Sequence, residues 1–193
     1  VMGCDIYSDS SAEEKSLHLQ PLFVDNSFFD VFTFELLDGN KKDALGDVSY
    51  AVLTESTAKK FFNSTDVVGK RLQIDADPSF ENLGKPLIVS AIVKDPPANS
   101  SLQFDLLLTF DFMRLSFEDK NWLNSYLGTF VVLHPQADKS KVLEKFNSIY
   151  AFHAKDQIGN EAFDVHGYDP KITYGLQPMT DIHLNAYGLG SEG

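Results

Sequence analysis

Residues 51–72, AVLTESTAKKFFNSTDVVGKRL, read as an apolar run, one compact helix and an Asp-x-x-Gly-Lys turn that leads into a second apolar run. Tyr50 to Leu53 suits a buried strand, and Thr54 is placed to cap a helix over Glu55 to Phe62. Glu55 in the first turn and Lys59 and Lys60 in the last both complement the helix macrodipole. Ala58, Phe61 and Phe62 recur at helical spacing and are expected to face inward. A helix this short is marginal in water, so tertiary packing must hold it. Gly69 is expected to permit a tight turn into the strand that starts at Arg71.

Upstream, residues 17–24 place Leu17, Leu19 and Phe23 on one face, with Pro21 predicting a sheet edge or a bulge. Asp25, Asn26 and Ser27 can cap a helical turn anchored by Phe28, Phe29, Val31 and Phe32, and Asp38-Gly39-Asn40 marks a turn. Downstream, residues 71–74 and 87–93 form an expected strand pair joined by a loop over 75–85. Pro96 and Pro97 in the run 94–101 punctuate the chain most strongly, and a lobe boundary or crossover is expected there. Residues 102–110 alternate, which predicts a strand with one buried face, and 111–115 can continue as a helix. Residues 126–134 are nearly all apolar and predict a further strand. A helix opening at Asp138 or Ser140 should run to about Ala154, with Val142, Phe146, Ile149, Tyr150 and His153 as its apolar stripe. With 172–176 as a later strand, this order suggests a split βαβ unit.

The chain has 193 residues, enough for one large domain or two small lobes with a substantial core. Its net charge of -12 repels phosphate backbones and anionic headgroups on average, so nucleic acid is not an expected partner. No apolar window reaches the roughly 18 residues of a membrane span. The start at Val1 is expected to be that of a segment excised or processed from a longer protein. Cys4 is the only cysteine, which excludes an intrachain disulfide. Val1-Met2-Gly3-Cys4 is similar to the end of a lipoprotein signal but has no apolar segment before it, so a buried thiol on an N-terminal strand is expected.

Motifs for chemistry fail one by one. Gly69-Lys70 would need a glycine at position 64 to make a phosphate loop, but Ser64 stands there and Arg71 replaces the metal-binding hydroxyl. His18, His134, His153, His166 and His183 are scattered singly, and Asp181 with His183 supplies at most two ligands. Asp75, Asp77 and Glu81 surround Pro78 at a spacing unlike a calcium loop and read as a solvated acidic loop. There is no Gly-x-Ser-x-Gly, and Cys4 has no neighbouring base in sequence. No catalytic residue, metal or cofactor is expected.

Taken together, residues 24–32 (VDNSFFDVF), 36–39 (LLDG), 51–55 (AVLTE), 58–62 (AKKFF) and 66–72 (DVVGKRL) resemble the MacB-like periplasmic core domain of ABC transporter permeases, the macrolide-exporter and FtsX-like class. The likeness continues through 89–95 and 99–110. Residues 176–184 (LQPMTDIHL) are similar to the segment leading back to the membrane in permeases of Bacteroidetes type. Val67 and Asn26 stand where the family commonly has Pro, and residues 1–16 match weakly.

The resemblance implies an α+β, two-lobed periplasmic domain of a bacterial inner-membrane protein. Residues 24–93 would form a small inserted α/β lobe, with 1–23 and 94–193 forming a porter-like split βαβ lobe. It implies an export or mechanotransmission permease whose domain couples transmembrane helix motion to a periplasmic substrate, adaptor or other partner. ATP would be hydrolysed by a separate cytoplasmic ATPase, and the full-length transporter would be a dimer. Phe80, Phe112, Phe117 and Trp122, aromatics in polar surroundings, are the expected partner surface. The rival readings are a freestanding extracytoplasmic sensor or ligand-binding domain, which needs a closed pocket, and a hydrolase, which needs converging carboxylates with raised pKa.

Overall fold

The computed structural model describes residues 4–7, 17–74, 78–124, 127–166 and 173–181. They form eight strands, β1 (Cys4–Tyr7), β2 (Leu17–Leu19), β3 (Pro21–Val24), β4 (Leu36–Gly39), β5 (Tyr50–Thr54), β6 (Arg71–Ile74), β7 (Leu87–Val93) and β8 (Leu106–Thr109). The helices are α1 (Phe28–Val31), α2 (Glu55–Phe62), α3 (Pro78–Leu83), α4 (Phe110–Arg114) and α5 (Lys139–His166), with a 3₁₀ turn at Met179–Asp181. Two compact units divide the chain, Val1–Glu118 and Asp119–Gly193. The expected α+β class is therefore observed.

All the strands lie in the first unit, in one mixed sheet of order β2-β1-β6-β7-β5-β8-β3 with β4 added to β7. Long β7 organises it. Parallel β5 lines one edge of β7, while β6 and β4 share the other edge, β6 at Leu87 and Ile88 and β4 at Ala91 to Val93. On β8 alternate residues enter different clusters: Leu106 and Leu108 join Leu53, Phe61 and Phe112, whereas Leu107 joins Val52, Phe28 and Phe29. Because successive side chains of a strand point to opposite faces, the two clusters lie on the two faces of the sheet. Helices α2 and α4 cover one face, and α1 covers the other.

This burial explains where the alternating pattern misled. Residues 102–110 predict a half-buried strand, but β8 spans only Leu106–Thr109 and all four of its residues are buried. The strand lies between β5 and β3 and is covered on both faces, so no polar face is needed. Residues 17–24 likewise split into β2 and β3: β2 pairs with β1, and β3 runs parallel to β8. Pro21 opens β3 at the end of the sheet order, where a missing N–H is tolerated. The loop expected over 75–85 contains α3, with Pro78 in the first helical position that suits proline. The Cys4 side chain, Val1 to Gly3, Asp75 and Asp77 lie outside the described residues.

The expected lobes, 24–93 against 1–23 with 94–193, do not coincide with the two compact units. Main-chain pairing of β5 with β8 and of β1 with β6 joins residues assigned to different lobes. The β ladder crosses the proline-marked connection at 94–101, which acts as a crossover between β7 and β8.

Local signals were more reliable. Thr54 Oγ1 accepts from Thr57 N at 3.3 Å and donates to Thr57 Oγ1 at 2.8 Å, in a site with Thr54 only 1% exposed. Asn63 ends α2 in the left-handed conformation, and its N–H donates to Lys59 O. Thr54→Ala should destabilise the chain by about 0.5–2 kcal/mol, and Thr54→Ser by much less, in urea unfolding. Equal losses in the two variants would show that the methyl group, not the cap, is what matters.

The second unit is built on α5. Asp138 Oδ1 accepts from Ser140 N at 3.0 Å and Lys141 N at 3.3 Å, which selects Asp138 over Ser140 as the cap. The helix runs to His166 instead of ending near Ala154. A single glycine, Gly159, weakens a helix without stopping it. Tyr150 and Ala154 are buried, and Asn147 clamps Tyr174 by accepting from its N–H at 2.8 Å and donating to its carbonyl at 3.3 Å. Ile149 and His153 leave the expected stripe, both being exposed. Residues 127–134 form no strand, and neither do 173–176, so the expected βαβ pairing is absent among the described residues. Their β propensity has no ladder partner there, and tertiary context overrides it.

Candidate interaction surface

The four aromatics expected to meet a partner go to different environments. Phe112 is 1% exposed and stacks on Phe23 at 6.5 Å and 9° between ring planes, inside the larger core cluster. It is a core residue, which corrects its assignment to the surface. The polar neighbours that suggested exposure, Asp111 and Arg114, pair with each other on the outer side of α4 at 3.1 Å. Phe80 is half-buried and packs against the same cluster as Leu83 and Leu115. Phe117, just beyond α4, is 50% exposed, and its N–H donates to Met113 O at 3.1 Å.

Trp122 belongs to the second unit and is 39% exposed. Its ring stacks on His153 with centroids 4.7 Å apart and planes 5° apart. Gln157 holds the backbone beneath: its Oε1 accepts from Trp122 N at 2.8 Å, and its Nε2 donates to Lys120 O at 3.1 Å. Two residues of α5 therefore fix an exposed indole, which lowers the entropy lost when a partner covers it. Also on α5, Phe152 is exposed and has Lys155 Nζ 5.2 Å above its ring. Ile149, expected in the inward stripe, is exposed too, and Phe152 lies outside the expected stripe. Apolar residues spread around all sides of α5 were the available signal.

Among the described residues no group of three or more His, Cys, Asp or Glu could hold a metal ion. His166's side chain and His183 lie outside those residues. One open pocket is lined by Leu37, Asp38, Glu55, Thr65, Asp66 and Ile92, but Glu55 pairs with Lys59, and Asp38 Oδ1 accepts from Gly39 N. A closed small-molecule cavity of the kind a sensor needs is not what this pocket offers.

The described carboxylates with displaced pKa move in the direction opposite to a catalytic acid. Ser27 holds Asp25 below 3.8 through its backbone N–H and then its hydroxyl. Ser49 holds Asp47 below 3.8 through its hydroxyl and then its backbone N–H. A lowered folded-state pKa means stability that is fully present above the unfolded value and lost as pH falls through the folded one. Thermal melts should thus fall as pH drops below about 3.8, and Asp47→Asn should make that fall shallower. An unchanged slope would mean that the Asp47–Ser49 turn does not favour the charged form. Burial, followed by the charge of Tyr174, pushes the Tyr150 phenol up.

The first unit is thus a sheet packed on both faces, and exposed aromatics lie on each unit. No helix among the described residues is long and apolar enough to cross a membrane. The MacB-like periplasmic core domain family matches residues 5–149, and the chain belongs to that family. The match contains the segments at 24–32, 36–39 and 51–72, whereas 176–184 lies beyond it. As a periplasmic domain of this permease class, it is not itself a catalytic unit.

Among solved structures, a domain assigned to a permease protein from Porphyromonas gingivalis is similar at 26% identity and a TM-score of 0.58, over 78% of this chain and 65% of that one. The chain thus spans slightly less than two thirds of that domain. The periplasmic region of MacB from Actinobacillus actinomycetemcomitans is similar at 17% identity and a TM-score of 0.49, over 82% of this chain and 72% of that one. The extracellular domain of the noncanonic ABC-type transporter YknZ from Gram-positive bacteria follows at 16% identity and 0.40, over 60% and 54%. Comparison with curated proteins gives no match.

Proposed function

We propose that this chain is the extracytoplasmic part of an ABC-type permease that couples movement of transmembrane helices to a periplasmic substrate or partner. Family membership across residues 5–149 is the observation that carries this reading. The first unit supplies the stiffness that mechanical coupling needs, since its sheet is packed on both faces and resists deformation. ATP hydrolysis is assigned to a separate ATPase, the permease to a dimer, and the domain to the periplasmic side of a bacterial inner membrane. Phe117 in the first unit and Trp122 in the second are the contact residues proposed for a periplasmic adaptor or exported substrate.

The flanking sequence of the full-length gene product tests the permease assignment, and apolar helices missing from both sides would sink it. The contact assignment is tested in the intact transporter carrying Trp122→Ala. Cross-linked recovery of the periplasmic partner should fall about tenfold, as for loss of an interface anchor worth about 1.4 kcal/mol, with ATP hydrolysis retained. Unchanged recovery would remove Trp122 from the contact surface.

A further inference from the structure

We draw no further inference here: the strongest candidate, the exposed apolar run over residues 127–134 of the second unit with Leu127, Val131 and Val132 facing solvent, carries nothing because the structure does not show what covers it.

Discussion

Phe112→Ala lowers the unfolding free energy of the chain by about 3–5 kcal/mol, the range for truncating a fully buried phenylalanine. The ring is 1% exposed, is stacked on Phe23 and belongs to the cluster formed by Leu53, Phe61, Leu106 and Leu108. Removing it takes apolar surface from the middle of the cluster and leaves a cavity that α4 and the sheet cannot fill without moving. Helix α4 cannot move cheaply, because Thr109 caps it by accepting from Phe112 N at 3.3 Å. Denaturant titration gives the measurement, and Phe112→Leu, which leaves a smaller void, should be milder. Trp122→Ala, in contrast, should cost less, since the residue is 39% exposed and its ring lies outside the core clusters. A Phe112→Ala protein that melts like the parent but loses its partner would return Phe112 to the surface.

Gly39→Ala is the second large effect. Gly39 has φ +92°, and a β carbon built there lies 2.6 Å from Ala91 Cβ and 2.6 Å from Ser90 O. The backbone conformation alone costs an L-residue about 1–2 kcal/mol. The contact adds about 1–3 kcal/mol of overpacking, since both obstacles belong to β7, the strand that organises the sheet. Gly69 provides the control: its φ is +87°, but nothing lies within 4 Å of the added carbon. Gly69→Ala should therefore show the backbone penalty without the steric one. Equal losses in the two variants would mean that β4 simply moves away from β7.

The two glycines differ in how far they were legible. Gly69 reads from its neighbours as the turn between α2 and β6, and the turn is closed there by Lys70 N donating to Val67 O at 3.0 Å. Gly39 reads as part of a turn, yet it is paired with Ala91 inside β4, and the turn follows it. Its requirement for glycine comes from a strand fifty residues away, which no local pattern encodes. Similarly, the capping of α2 by Thr54 was legible because donor and acceptor are three residues apart. The burial of Phe112 was not, because it sits among polar neighbours in sequence just as Trp122 does, and Trp122 is exposed as those neighbours suggest.

The sequence by itself determined the local pieces, namely α2 with its Thr54 cap, the Gly69 turn and a helix opening at Asp138 or Ser140, together with the β6 and β7 pair, the family resemblance and the lack of a phosphate loop. The helices, caps and turn depend on residues within a few positions of one another, where hydrogen bonds and side-chain periodicity act directly. Only the tertiary structure decided that β8 is buried on both faces, that the sheet joins residues expected in separate lobes, and that Phe112 is core while Phe117 and Trp122 are exposed. Those outcomes depend on which distant segments come to cover a given strand or ring, and burial is a property of that assembly rather than of the residue.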